Sequence, residues 1–256
     1  MMRITMLGCG PSWGVPRIGN DWGACDPKNP KNRRTRCSLL IEDGGQTVLI
    51  DTPPDLRQQL LTAEISRIDA VLFTHAHADH SHGIDDLRSV NRLVGKPLPI
   101  YTDPHTMSEL QARFRYIFTP VDTTATSFYK PAIEPHTVAG LFTAAGMTIV
   151  PFEQDHGFSK TTGFRFGRAA YSTDVTALDD AAFAALAGVE LWIVDCIRQT
   201  PHPTHSHLER TLGWIERVKP ARAILTHMDE TLDYETLRQA LPAGVEPGYD
   251  GLVIEI

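Results

Sequence analysis

The chain of 256 residues has no apolar run near the ~20 residues that a membrane span needs. Its start, Met-Met-Arg-Ile-Thr-Met-Leu-Gly, carries one positive charge and too short an apolar stretch for a signal peptide. A cytoplasmic protein with no membrane partner is therefore expected. Basic charge is also scarce: 24 Lys and Arg stand against 31 Asp and Glu, a net charge of −7. That counts against a surface built to coat nucleic acid or anionic membrane. The four cysteines, Cys9, Cys25, Cys37 and Cys196, form no C-x-x-C pair, which predicts free, buried thiols. No G-x-S-x-G nucleophile elbow and no G-K-[ST] phosphate loop occurs, and Gly8-x-Gly10 lacks the rest of a nucleotide fingerprint. Neither a repeat nor a linker divides the chain. With 42% hydrophobic and 21% charged residues, it is expected to form one domain over residues 1–256.

Segments rich in Val, Ile and Leu predict strands at 3–7, 38–42, 47–51, 69–74, 99–102, 147–152, 163–166, 169–173, 191–195, 221–226 and 252–256. Asp43-Gly44-Gly45 joins the second and third as a hairpin. Helices are predicted from Pro53-Pro54 to about residue 64, and from Asp103-Pro104, an N-cap with Pro at N1, to about residue 116. Two more are predicted over the Ala-rich stretch 178–186 and behind the capping box Ser206-x-x-Glu209. Hairpins first, then strand–helix alternation, imply mixed sheets covered by helices. Two stretches, 9–36 and 119–139, read as long irregular loops, which in compact domains are usually lids or mobile segments. The first closes with Lys31, Arg33, Arg34 and Arg36, read as a solvated charge run or else a phosphate patch, and Trp13 and Trp22 read as its packing anchors.

Histidine is what the chain has in quantity: 11 residues, several in tight clusters. Thr74-His75-Ala76-His77-Ala78-Asp79-His80 follows the apolar run Ala70-Val71-Leu72-Phe73. In an extended segment residues i and i+2 point the same way, so His75 and His77 can grip one cation. Asp79 and His80, past the turn, can serve a second. Asp51, His156, Asp174 and His227 each follow a predicted strand, where α/β proteins place their sites. Imidazole and carboxylate ligands without thiolate suit Zn²⁺ or Mn²⁺.

In this order these residues resemble the metallo-β-lactamase superfamily of metal-dependent hydrolases, over nearly the whole chain. The resemblance implies an α/β (α+β) fold, a four-layer αββα sandwich, with two divalent ions, Zn²⁺ or Mn²⁺. It implies His75, His77 and His156 on one ion, Asp79, His80 and His227 on the other, and Asp174 bridging both. Asp51 would orient the ligand loop without touching metal. Leu7-Gly8-Cys9-Gly10-Pro11-Ser12-Trp13-Gly14-Val15-Pro16 and Arg33-Arg34-Thr35-Arg36-Cys37-Ser38 are similar to the superfamily's phosphodiesterase subgroup, which includes a phosphoribosyl cyclic phosphate phosphodiesterase and ribonuclease Z. Pro203-Thr204-His205-Ser206-His207-Leu208 resembles that subgroup's additional histidine motif. This implies His205 as leaving-group acid and Asp79 as the other catalytic candidate. The expected reaction is hydrolysis of a small cyclic or nucleotide-like phosphodiester by a metal-bridging hydroxide, with a homodimer implied by the family. Alternatives are a ribonuclease Z-type nuclease, thioester or lactam hydrolysis, and an accessory cofactor-biosynthesis protein. The chain departs from the subgroup's structural-zinc loop: only Cys25 remains, and Glu230 stands where a histidine would be.

Overall fold

In the computed structural model, residues 1–120 and 129–256 are described. The strands are β1 (Arg3–Gly8), β2 (Ser38–Asp43), β3 (Gln46–Ile50), β4 (Ala70–Leu72), β5 (Leu98–Thr102), β6 (Ile133–Thr137), β7 (Phe142–Ala144), β8 (Met147–Asp155), β9 (Lys160–Phe166), β10 (Ala169–Ser172), β11 (Leu191–Asp195), β12 (Arg222–Thr226), β13 (Val245–Pro247) and β14 (Val253–Glu255). They form two seven-stranded sheets, ordered β14-β1-β2-β3-β4-β5-β6 and β13-β12-β11-β10-β9-β8-β7. The helices are α1 (Leu56–Thr62), α2 (Ala78–Ser81), α3 (Leu87–Val94), α4 (Pro104–Arg113), α5 (Arg115–Phe118), α6 (Asp180–Leu186), α7 (Leu208–Val218) and α8 (Tyr234–Ala240).

The period-2 direction of strand side chains accounts for the layering. In the first sheet Leu39, Ile41, Val48, Ile50, Ala70 and Leu72 enter the core shared with the second sheet. Their neighbours Leu40, Leu49 and Val71 enter a separate core with Leu56 and Leu60 of α1, Val90 of α3 and Leu110 of α4. Ala182 and Leu186 of α6 and Leu237 of α8 belong to the core that includes the second sheet. A sheet covered on both faces reads as a continuous apolar run, and the result is the αββα sandwich. All four cysteines are free and buried. Among the described residues no helix is long and apolar enough to cross a membrane.

Every predicted strand is present. Those that sequence reasoning missed, β6, β7 and β13, are a sheet edge or its short terminal partners. The stretch 119–139 is therefore not wholly irregular: Ile133–Thr137 pairs in parallel with β5, and Pro135 lies on this edge strand, where a missing N–H is tolerated. Residues 121–128 of that stretch lie outside the described residues. The helix begun by Asp103 is capped as expected, its carboxylate accepting from His105 and Thr106 N–H. It stops at Arg113, because Phe114 leaves helical geometry (φ −115°, ψ 37°).

Three expectations are corrected. Ser206 caps nothing: its hydroxyl pairs with Thr211 Oγ1 at 2.6 Å and its N–H with Asp195, while His207 is the N-cap of α7 with no side-chain bond. The basic run is not a uniformly solvated face, although Arg33 is exposed. Arg34 is buried and donates to the carbonyls of Asp229 (2.8 Å) and Leu232 (2.6 Å), and Arg36 pairs with Asp55 at 3.0 Å. Arg33 lies over the Trp22 ring and Lys31 over Tyr234 and Tyr249. Finally, Trp13 anchors the loop through its indole N–H to Glu230 rather than by packing into the core, its side chain being 40% exposed.

Candidate metal centre

The site lies where strand ends of both sheets meet. Asp51 follows β3, the His75–His80 segment follows β4, His156 follows β8, Asp174 lies two residues past β10, and His227 follows β12. Asp51, Asp174 and His227 hold left-handed backbone, φ 63°, 55° and 59°. That conformation costs a residue with a Cβ of order 1–3 kcal/mol and concentrates at functional sites. The His75–His80 segment is sewn to the turn after β3: Thr52 N–H donates to His80 O and Gly83 N–H to Thr52 O, each 2.8 Å. A Cβ on Gly83 would sit 2.0 Å from Pro53 O, so that residue is needed for close approach.

Asp174 divides the cluster. Its Oδ1 faces His75 Nε2 (3.7 Å), His156 Nε2 (3.8 Å) and His205 Nε2 (3.9 Å). Its Oδ2 faces His80 Nε2 (3.0 Å) and His227 Nε2 (3.4 Å). Asp79 lies 3.5 Å from His80 Nε2 and 3.8 Å from His227 Nε2. His77 stands with its ring centre 4.5 Å from that of His75. Among the described residues three groups of donor atoms each gather within 4.8 Å: His75, His77, His156 and Asp174, then Asp79, His80, Asp174 and His227, and beside these two a third of Asp195, His205 and His227. All the residues expected at the centre are brought together, and among them only His77 is exposed.

Behind the cluster, three of the rings meet a polar partner at Nδ1, whereas His227 Nδ1 is buried without a hydrogen bond. His80 Nδ1 meets Asp51 Oδ2 at 2.7 Å, His75 Nδ1 meets Thr74 Oγ1 at 3.0 Å, and His156 Nδ1 meets Thr204 O at 2.7 Å. Asp51 also accepts from Thr74 N–H and its hydroxyl, both at 2.8 Å. A proton held at Nδ1 leaves Nε2 with its lone pair turned inward. His75, His80 and His227 Nε2 are buried with no hydrogen-bond partner. Orphaned nitrogens beside two carboxylates are costly unless a cation completes them. The donor set therefore fits divalent ions of the Zn²⁺ or Mn²⁺ type.

The electrostatics agree. Burial, reinforced by His80, pushes His75 well below the ordinary histidine value, and burial lowers His156. Burial also opposes charge on His80 and His227, but Asp174 and Asp79 outweigh it, raising His80 well above its usual range and His227 to about 9. Burial would raise Asp174, but His227, His80 and His75 hold it well below the carboxylate range. The pocket thus calls for positive charge around Asp174.

Sequence reasoning missed Asp195. It ends β11, is fully buried, and accepts from Ser206 N–H (3.0 Å) and Val175 N–H (3.2 Å). It lies 3.4 Å from His205 Nδ1 and 3.8 Å from His227 Nδ1, joining the leaving-group candidate to the cluster. Its signal was a carboxylate ending an apolar strand, the same one that marked Asp51. A cleft of about 580 Å³ opens over the centre, with Asp79, Trp13, His202 and His205 in its wall. His136 is elsewhere, stacked on Tyr101 along β5 and β6. Around Cys25 the loop is held by Arg34, and Glu230 binds Trp13 Nε1 at 2.8 Å and Arg17 at 3.1 Å.

A family model described as "Beta-lactamase superfamily domain" matches residues 46–228. A Porphyromonas gingivalis protein named octanoyltransferase is 33% identical over 98% of this chain, which spans about half (51%) of that relative's length. A solved structure described as a new diphosphatase from the PhnP family is 36% identical, with a TM-score of 0.91 over 100% of this chain and 98% of its own. The structure of Zn(2+)-bound PqqB from Methylobacterium extorquens has a TM-score of 0.80 over 99% of this chain and 100% of its own, at 18% identity.

Proposed function

The chain belongs to the beta-lactamase superfamily, whose members include metal-dependent hydrolases, and on that footing we propose that it is a two-metal phosphodiesterase acting on a small phosphodiester. The observation that carries this reading is the division of Asp174, with one oxygen toward His75 and His156 and the other toward His80 and His227. His75, His77 and His156 would hold one ion, Asp79, His80 and His227 the other, and Asp174 both. Bound there, two divalent ions would supply an acidified water and Lewis-acid charge for the phosphoryl oxygens, a pairing suited to in-line displacement at phosphorus.

The chain's own residues supply the rest. His205 Nε2, at the cleft wall, would hold the proton given to the departing oxygen. Asp195, behind Nδ1, would keep that ring aimed. Asp79 stands at the cleft edge, where a carboxylate can orient the attacking water, and Asp51 would fix the tautomer of His80. A diphosphate is the second reading, favoured by the 36% identical diphosphatase, since the same displacement serves both bonds. Acyl transfer by a thiol finds no support: Cys9, Cys25, Cys37 and Cys196 are all buried, and burial raises each thiol pKa.

The test is a panel on protein loaded with Zn²⁺ or Mn²⁺. It compares bis-p-nitrophenyl phosphate, cyclic ribose and nucleotide phosphates, a nucleoside diphosphate, precursor tRNA and a thioester. Hydrolysis of the small diesters is expected. Turnover confined to the thioester or to precursor tRNA refutes the reading.

A further inference from the structure

Two aromatic side chains stand in the cleft where burial ordinarily hides them. Trp13 is 40% exposed and Phe158 is 93% exposed, and both line the cleft over the metal-ligand cluster. Trp13 is not a loose surface group. Its indole N–H donates to Glu230, which is itself only 6% exposed and held by Arg17. The loop closes tightly on that carboxylate: a Cβ on Gly23 would come within 2.5 Å of Glu230 Cγ. The polar edge of the indole is thus satisfied by protein, and its apolar ring remains in the cleft wall. A rigid aromatic surface held ready in this way binds a flat partner with little ordering cost.

Its position says which part of a substrate would meet it. A second hollow, of about 430 Å³, adjoins the cleft, and the two share Trp13, Ile197 and His202. His202 packs its ring 5.0 Å from that of His205, so this hollow lies on the side from which the leaving group would take its proton. Its cations are already engaged. Arg17 pairs with Asp21 and Glu230, and Arg198 donates to the carbonyls of Thr200 and Pro201. Such a hollow suits an uncharged planar group better than another phosphate.

We propose that Trp13 determines specificity at this centre, stacking a planar heteroaromatic ring, such as a nucleobase, carried by the leaving half of the diester. This deepens the phosphodiesterase reading and rests on it. In the hydrolysis the P–O bond to the base-bearing half breaks, the oxygen of water joins phosphorus, and one proton passes to the departing oxygen.

The experiment measures binding of adenosine 5′-monophosphate and ribose 5-phosphate to metal-loaded protein, a pair that differs by the base. Stacking of one base on an aromatic side chain predicts that the nucleotide binds roughly 5- to 150-fold tighter. Trp13→Ala and Trp13→Leu should erase that preference and Trp13→Phe should keep part of it. Affinity for ribose 5-phosphate should hold in all three, which also reports an intact fold and centre. Equal binding of the two ligands by the unaltered protein overturns the proposal, as does a Trp13→Leu variant that retains the preference. Turnover of the diester panel is followed on the same preparations. Hydrolysis without base preference overturns the stacking alone, whereas base preference without hydrolysis of any diester overturns the phosphodiesterase reading.

Discussion

Asp51→Asn is a sharp probe of the centre because it turns one acceptor oxygen into an NH₂ donor, and removes the charge, with little change of shape. Asp51 Oδ1 accepts from Thr74 N–H, and an amide oxygen can still do so. Oδ2 accepts from the Thr74 hydroxyl and from His80 Nδ1 at 2.7 Å, and an amide NH₂ placed there faces two donors. The hydroxyl can rotate to accept. His80 can avoid the clash only by moving its proton to Nε2, the atom that faces Asp174 at 3.0 Å. A protonated Nε2 has no lone pair for a metal. Loss of such an outer partner typically costs 10- to 100-fold in metal affinity, or about 1.4–2.8 kcal/mol at 1.4 kcal/mol per tenfold. The effect should fall on one ion. His75 and His156 keep their own Nδ1 partners, Thr74 Oγ1 and Thr204 O, so the ion they would hold should bind nearly as before. Calorimetric titration of metal-free protein with Zn²⁺, checked by elemental analysis at limiting metal, separates the two sites. Equal weakening of both ions, or of neither, would refute the argument that Asp51 acts through the His80 tautomer.

Asp174→Ala should bind neither ion well and lose turnover, since each of its oxygens serves a different group; two ions bound with normal activity would rule it out as the bridge. His205→Ala should keep its metal and fold but lose ~10²–10⁴-fold in kcat on a diester with an alkoxide leaving group. The loss should shrink for p-nitrophenolate, and His207→Ala should matter far less; an equal loss on both leaving groups would point to phosphate binding instead. Asp250 is raised to about 6, burial outweighing its bonds from Thr35 and Cys9. Its proton therefore binds the folded state more tightly, so its contribution to stability is present below pH ~4 and is lost as pH rises toward 6. Comparing urea unfolding of Asp250→Asn with the unaltered protein at pH 4.5 and 7 should show a gap that changes by on the order of 2 kcal/mol, discounted for its partial exposure; a constant gap would contradict the shift.

Much of the candidate centre is legible in the sequence because donor residues from one loop leave a local trace. His75, His77, Asp79 and His80 lie within six residues, and strand ends point to the rest. Asp195 carried only the strand-end signal, with no cluster of donors beside it in the sequence. It reaches His205 only through the turn after β11, and a lone Asp after an apolar strand has many structural explanations. Edge strands were missed for a related reason. β6, β7 and β13 depend on partners brought by the sheet, and short edge strands have little side-chain pattern of their own. The burial of Arg34 was hidden by charge: a cluster of basic residues reads as solvated until carbonyls from residues 229 and 232, nearly two hundred positions away, fold over it.

The site also explains why this fold tolerates strain where it does. Its residues come from the ends of strands in both sheets, so their mutual distances are set by how the sheets pack. That packing is held by side chains such as Ile50, Leu72, Phe164, Tyr171 and Ile224, all buried in one shared core. Left-handed backbone at Asp51, Asp174 and His227 turns these side chains back over the strand ends, toward the gap between the sheets. Each such turn is unfavourable by itself and persists only where its surroundings determine it strongly. Two carboxylates facing unpartnered imidazole nitrogens are unfavourable as well. A divalent ion in each group would offset that second cost directly, and any ligand that binds only the folded state stabilises it in proportion to the logarithm of its concentration over its Kd. Strain at the strand ends and demand for positive charge at Asp174 therefore work together: the core holds the donors apart in fixed positions, and bound cations would give them a reason to stay there.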